Sequence, residues 1–429
     1  MHWRYELRKR ELFAECAVGP VVFDGGVERL AEFAQPFAAC LVRREQRQHA
    51  RSYLAGLVSD LNRKNTESIA YRHDQQRHGL QHFVGSSAWD HHSLLRELAR
   101  QVCRELVTPD GVIVFDPSGF SKKGEASVGV QRQWLGRLGK VDKGQVGVFM
   151  AFTSYRDHAL VDVRLYLPKG WAKDRARRKR CGIPKSVRYR TRHELALEML
   201  RETGPLLPHA WISGDDEMGR SSRFRAELRR LGEHYLLAVP SNTTVRDLDG
   251  ETPEWGGRGR RPKRAFEQAR TWSKSLPQEA WRRIEVGDGE RGPQFVELVA
   301  TRVLARTDRR RIRPEELLVV IRGLAEDGAP KHAYYLSDAP PETLSGVLAR
   351  VAKAEYRAER CLQLGKSEAG LAEYQVRTWS GWYHLQALSL IAAWFLVQES
   401  RRGKKGDAGP DGAAGARRAG VDAACLVRV

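Results

Sequence analysis

Along the first hundred residues, apolar side chains recur every three or four places. VERLAEFAQPFAACLVRR, from Val27, and QRQHARSYLAGLVSDL, from Gln46, carry basic residues between those positions, which predicts amphipathic helices interrupted only by Pro36. From residue 111 the period shortens and β-branched residues take over. GVIVFD (111–116), QVGVFMAFTS (145–154) and HALVDVRLYLP (158–168) read as three successive strands. The helix TRHELALEMLRE follows behind a capping threonine, Thr191. AWISGD (210–215) and YLLAVP (235–240) then flank a second helix, GRSSRFRAELRRLG. The order βββαβαβ, three antiparallel strands leading into alternating helices and strands, predicts an α/β fold: an RNase H-like mixed sheet with flanking helices.

After Pro240 the pattern breaks into SNTTVRDLDGETPEWGGRGRRPKRAF, a loop dense in glycine, proline and arginine. RRIEVGDGERGPQFVELVATRVLA, ELLVVIRGL and KHAYYLSD restore alternation and predict a β-rich insertion. Helical spacing resumes from Pro341 and closes with an apolar helix through Val397. The expected division is a helical, DNA-binding domain over 1–105, a sheet domain in two parts over 106–240 and 341–400, the insertion over 241–340, and a disordered basic tail over 401–429.

Charge narrows the partner. The 429 residues carry a formal +20, which favours a polyanion because each phosphate neutralised releases counterions. No segment reaches the ~20 apolar residues of a spanning helix; LQALSLIAAWFLV, from Leu385, is shorter and reads as core. The start, MHWRYELRKRELFAE, lacks a secretory apolar stretch, so a cytoplasmic protein is expected. Six scattered cysteines without C-x-x-C argue against a zinc site or a disulfide framework.

Candidate chemistry centres on VFDPSGFSKKGEASVGV, from Val114. Gly119 and Gly124 are spaced as in a phosphate-binding P-loop, but Glu125 and Ala126 stand where that motif needs Lys and Ser/Thr. The weight moves to Asp116, at the end of the first predicted strand. Asp215 ends AWISGD, and Asp216 or Glu217 competes with it. The helix around 344–366 can bring a third acid: its apolar stripe (Leu344, Val347, Leu348, Val351, Ala358, Leu362) leaves Glu355, Glu359 and Lys366 on or beside the buried face. From periodicity alone Glu355 competes with Glu359. Three carboxylates in a basic protein suit Mg²⁺, with two ions ~4 Å apart able to serve displacement at phosphorus.

At these residues the sequence resembles bacterial insertion-sequence transposases of the DDE, RNase H-like superfamily, in the branch with a β-rich insertion before the catalytic glutamate. FDPSGFSKKGEASVGVQRQWLGRLGKVDKGQVGV (115–148) is similar to the block around the family's first aspartate. In WISGDDEMGRSSRFRAELRRLGEHYLLAVP (211–240) the family's aspartate lies four residues before a glycine, which selects Asp215 before Gly219. In YRAERCLQLGKSEAGLAEYQVRTWSGWYHLQALSLIAAWFL (356–396) the glutamate three residues past an aromatic, with lysine seven further on, selects Glu359 and Lys366. The resemblance implies cleavage at transposon ends and strand transfer into target DNA, with Mg²⁺ (two ions, Mn²⁺ able to substitute) on Asp116, Asp215 and Glu359. It further implies double-stranded DNA partners, the terminal inverted repeats and the target, and a homodimer in the DNA complex. A nuclease that cuts without joining, or a domesticated DNA-binding descendant, is the alternative. Departures occur at Ala352 and Glu355, where relatives have Tyr and Arg, at Pro117, where many have a second acid, and in WSGWYHLQA, which keeps only His384.

Basic residues beside these blocks are candidate DNA contacts: Lys122, Lys123, Arg132 and Lys140 near the first aspartate, Arg258, Arg260, Arg261 and Lys263 in the glycine-rich loop, and Lys366 and Arg377 around the third block. Trp255 and Trp272 are candidates for base stacking. Trp379 and Trp382 read as core of the final helix, and KDRARRKR (173–180) as an exposed basic loop.

Overall fold

The computed structural model describes residues 25–406 apart from 74, 137–138, 261, 290–291, 307–313 and 325–329. Helices α1 (Gly26–Ala39), α2 (Arg44–Leu57), α3 (Thr66–Arg72), α4 (Arg77–Gly85) and α5 (His91–Leu106) make up the amino-terminal region. Asn65 and Asp90 cap α3 and α5 by accepting from backbone N–H groups two and three residues on. The stripe Leu94, Leu95, Leu98, Val102 and Leu106 buries one face of α5. These helices share a single hydrophobic cluster with the sheet and the final helix.

The central sheet is built from β1 (Val112–Ser121), β2 (Gln131–Leu135), β3 (Lys140–Thr153), β4 (His158–Leu165), β5 (Trp211–Gly214) and β6 (Tyr235–Val239). β3 lies antiparallel between β4 and β1, while β5 runs parallel to β1 and β6 parallel to β5. The resulting order, β4-β3-β1-β5-β6, is that of an RNase H-like sheet. Helix α8 (Arg192–Glu202), which precedes β5, starts on the expected cap: the Thr191 hydroxyl accepts from Glu194 N at 3.2 Å and Glu194 Oε2 accepts from Thr191 N at 2.8 Å. β5 leads into the short α9 (Asp216–Arg220) and then α10 (Ser222–Leu231), which stops at Gly232 with φ 78°.

In this part of the chain three elements differ from the sequence expectation. β1 does not stop at Asp116; it pairs with β3 from Val112↔Thr153 to Ser121↔Gly144. β2, paired with the start of β3, was hidden because polar residues occupy both faces of a ribbon that extends beyond the core. KDRARRKR is not a loop: after α6 (Lys169–Lys173) it forms α7 (Arg175–Arg180), capped by Asp174 through Arg177 N at 2.9 Å.

The insertion is continuous with the central sheet. β12 (Pro330–Ser337) pairs antiparallel with β6, and the ladder continues through β11 (Glu316–Leu324) and β10 (Gly292–Ala305) to β7 (Thr244–Asp247) and β8 (Glu267–Gln268). β9 (Arg282–Gly289) also pairs with β10. β7 lies within the stretch expected to be loop, where four residues between polar neighbours gave no alternation to read. A second hydrophobic cluster, including Val245, Trp272, Trp281, Val303, Leu318 and Leu336, packs behind these strands together with α11 (Ala269–Lys274).

Two long helices complete the fold, α12 (Ser345–Glu368) and α13 (Trp379–Gly406). α12 packs on β1, β3, β4, β5 and β6. α13 is apolar all round because it is buried all round through Val397. It is fastened to the amino-terminal helices by the Arg29–Glu399 ion pair at 2.7 Å, by His384 against the Val84 and Trp89 carbonyls at 3.0 Å, and by Phe33 on Phe395. Residues 401–406 of the expected disordered tail are helical; 407–429 lie outside the described residues.

Candidate functional site

Asp116 stands where β1 loses one neighbour. The parallel pairing with β5 ends at Phe115↔Gly214, whereas the pairing with β3 continues. The carboxyl end of β5 therefore lies beside Asp116, the position at which open α/β sheets take their ligands. Asp215 follows β5 directly and caps α9, its Oδ1 accepting from Met218 N at 3.1 Å. The spacing to Gly219 has a steric cause: a Cβ at Gly219 would lie 1.9 Å from the Ala238 carbonyl oxygen. Glycine lets α9 press onto β6, and that contact fixes the direction of Asp215.

Helix α12 closes the site from above. Lys366 Nζ donates to Ser118 Oγ at 2.6 Å and lies 5.3 Å from the Phe120 ring centroid. Ser118 and Phe120 are two and four residues past Asp116, so all three share one face of the strand. The helix thus lies over the Asp116 face. Glu359, two turns before Lys366, is exposed; Glu355, one turn earlier, is half-buried.

Electrostatics shows how closely these acids crowd. Burial pushes the Asp116 carboxyl up to about 6; Lys366 opposes the shift, and Glu359 and Glu217 add to it. Asp215 is held well above the usual carboxylate range by burial and then by Asp116, against the Met218 N–H, with Glu217 and Glu355 reinforcing. Glu355 is pushed up to about 8 by burial, Asp116, Glu359 and Asp216, with Lys331 opposing. Asp116, Asp215 and Glu355 resist ionising in this setting, a state that a bound cation would relieve. No three of these carboxylates bring oxygens within 4.8 Å of one another among the described residues. The one set of ligand-bearing groups that does is Asp90, His91 and His92. There Asp90 is already the α5 cap, and the His91 ring stacks on Tyr383.

Two further members of this cluster are harder to read from the sequence. Glu217 accepts from Arg192 Nη1 at 2.6 Å, and its carbonyl meets His193 Nε2 at 2.9 Å. Arg192 also reaches Gln133 Oε1 at 3.5 Å, tying α8 and β2 to the site. Glu355 was recognisable as a competitor on the buried stripe. Its coupling to Asp116 and Asp216 depends on where the helix lies on the central sheet, which helical spacing does not encode.

The basic candidates divide. Lys123, Arg132, Lys140, Arg258, Arg260, Lys263 and Arg377 are exposed, with Lys140 beside Asp142 at 3.3 Å. Lys122 is turned inward: its Nζ donates to the Tyr374 carbonyl at 2.8 Å and sits 3.3 Å from that ring's centroid. Burial lowers its pKa to about 8. Arg261 lies outside the described residues. Trp255 is 47% exposed. Trp272 is a correction: it is 4% exposed in the insertion core and donates Nε1–H to Asp247 at 3.1 Å, so its face is not open to a base. Trp382 is fully buried, as expected of a core residue.

The DDE superfamily endonuclease family model matches residues 36–293, which includes Asp116 and Asp215 and ends before α12. A probable transposase for insertion sequence element IS701 from Microchaete diplosiphon is 30% identical over 199 residues, 45% of this chain and 49% of the relative. The chain thus spans about half the length of that curated relative. The piggyBac transposase, in a cryo-EM structure of its synaptic complex with hairpin DNA, aligns over 95% of this chain and 78% of its own at 10% identity and a TM-score of 0.39.

Proposed function

The chain belongs to the DDE superfamily endonuclease family, and from that membership we propose that it is a DNA transposase, cutting at transposon ends and joining them to target DNA. The observation that carries this reading is the convergence of Asp116, Asp215 and the α12 acids on one sheet face, in a protein of formal charge +20. A purely oxygen donor set suits hard divalent cations, Mg²⁺ first and Mn²⁺ as its substitute. Asp116, Asp215 and Glu359 are the residues assigned to hold them. Two such ions are assigned to this site, as the family resemblance implies. Bound there, the ions would supply charge neutralisation and activation of the attacking oxygen for in-line displacement at phosphorus.

The remaining work falls to the chain. Asp215 is aimed by its hydrogen bond to Met218 N and by the close approach of α9 to β6. Lys366 offers positive charge beside Ser118, where a scissile phosphate would approach Asp116. Lys123, Arg132, Lys140, Arg258, Arg260, Lys263 and Arg377 would neutralise the backbone of double-stranded DNA, and Trp255 remains the candidate for stacking on an unpaired base. We assign the protein to the cytoplasm, acting as a homodimer on the element's terminal repeats and on the target.

One observation favours a second reading of the third acid. Glu355 is more deeply placed than Glu359 and interacts with Asp116, Asp215 and Asp216. Comparing Glu355→Gln with Glu359→Gln decides between them: the larger loss marks the third carboxylate. The overall test incubates purified protein with labelled element ends and Mg²⁺. Wild type should yield cleaved and joined products, and Asp116→Ala, Asp215→Ala and Glu359→Ala neither. Full activity in all three variants would sink the assignment, while cleavage without joining would select the nuclease alternative.

A further inference from the structure

The β2–β3 hairpin carries a surface that the acidic site leaves unexplained. Cross-strand partners share a face, and here they are Arg132↔Lys143 and Trp134↔Val141. Trp134 is 54% and Val141 51% exposed, an apolar pair facing solvent on a ribbon. Beside it two like charges stand directly opposite, an arrangement that destabilises a hairpin unless an anion is to be met. Glu125, 2.5 Å from Lys143, and Asp142, which Arg132 also reaches electrostatically, offset charge here, and the Glu125 carboxyl is held below its ordinary range by Lys143 first and by Arg177 of α7 as well. A second line of cations on α7 therefore adjoins the hairpin, and Trp171 Nε1 anchors that segment to the Val130 carbonyl at 2.8 Å.

The ribbon is coupled to the acids at its base. Gly119, three residues past Asp116, packs so closely on Leu135 of β2 that a Cβ would lie 2.9 Å from its Cδ2. On the same face of β2 as Leu135, Gln133 donates to the Gly144 carbonyl at 2.8 Å and accepts from Arg192, which holds Glu217. A polymer whose phosphate reached Asp116 would have its flanking segment beside this hairpin.

We propose that the β2–β3 hairpin is a wedge against duplex DNA: Trp134 and Val141 press on a base step flanking the scissile phosphate, while Arg132, Lys143 and Arg177 hold the adjoining backbone. Apolar residues framed by cations are the means by which proteins unstack and bend a duplex. The inference rests on the DNA reading above but adds a contact surface of its own.

The test uses the full-length protein without divalent ions and short duplexes carrying 2-aminopurine at successive positions, with binding followed by anisotropy across a salt series. Wild type should raise 2-aminopurine fluorescence at particular steps. Trp134→Ala should abolish that rise and weaken binding about tenfold, a typical loss for one aromatic–base contact, with Trp134→Phe restoring most of it. Arg132→Glu should weaken binding and flatten its salt dependence. Because Trp134 is exposed, the melting temperature of the variant should match wild type. If wild type binds the duplex and Trp134→Ala binds and perturbs it equally, the wedge is overturned while the transposase reading stands. If wild type shows no salt-dependent binding, both fall. A changed oligomeric state in Trp134→Ala with unaltered DNA binding would make the face a protein contact and would also overturn the wedge.

Discussion

Asp116 and Asp247 lie in the same sheet and have opposite surroundings. Asp247, at the end of β7, accepts from Arg264 at 2.7 Å, Trp272 Nε1 at 3.1 Å, Thr301 Oγ1 at 2.9 Å and the backbone N–H groups of Asp249 and Gly250. Although burial raises its pKa, these donors outweigh it and leave the group below the usual carboxylate range. Asp116 has other acids around it and one ammonium group nearby, and its pKa rises. Burial is common to both. What separates a structural carboxylate from a catalytic candidate is whether the fold itself supplies the positive partners.

That contrast can be broken most severely at the acids. Asp116→Ala should lower cleavage of element ends by about a thousandfold or more with folding intact, measured by product formation beside circular dichroism. Asp247→Ala should do the reverse: it strands Arg264 and Trp272, so about 3 kcal/mol of stability is lost, seen as a lower denaturation midpoint, while any folded fraction still cleaves. If Asp247→Ala left stability unchanged, the distinction drawn here would fail.

Gly219→Ala probes how Asp215 is aimed. The added methyl would drive α9 away from the Ala238 carbonyl. Turnover should fall about a hundredfold from misplacement alone, with a smaller effect on DNA affinity, so kinetic and binding measurements on the same preparation should diverge.

The smallest expected effect concerns pH. Native Asp116 and Glu355 have pKa values above their unfolded ones, so the protonated forms favour the native state. Their contribution is complete below about pH 4 and is lost as pH rises through about 6 for Asp116 and about 8 for Glu355. Without divalent ions the melting temperature should therefore fall by a few degrees across that window, and Asp116→Asn should reduce the fall. Millimolar Mg²⁺ should restore the wild type at pH 8 and leave Asp116→Asn little changed. An Asp116→Asn protein with the same pH profile as wild type would contradict the crowding.

The succession βββαβαβ was legible because the central part of each strand is apolar and bounded by turn residues. Thr191 announced its helix through a cap that is local in sequence. The far half of β1 and all of β2 were not legible: Pro117, Gly119 and Gly124 look like a turn, and the ladder with β3 that makes the segment extended comes from residues 140–153. The site shows the same limit. Asp116 stood at an apparent strand end that the structure extends to Ser121, and Asp215 at a true one with a steric glycine behind it, whereas the crowding at Glu355 needs Asp116 and Asp216, which are distant in sequence. Trp272 was misread because its partner, Asp247, ends a strand too short to recognise.

The β6–β12 ladder also sets a timetable for the nascent chain. Leu236–Val239 pair with Tyr334–Ser337, so β6 leaves the ribosome with an uncovered edge that waits for the whole insertion to be made. At about 5–20 residues per second that interval is on the order of ten seconds. α12, which brings the glutamates and Lys366, emerges later still. A chain stalled within the insertion holds Asp116 and Asp215 but neither Glu355 nor Glu359. Termination of synthesis within the insertion thus yields a polypeptide without the full set of acids proposed to hold metal, and the long interruption of the sheet acts as a delay between making the two aspartates and joining the glutamates to them.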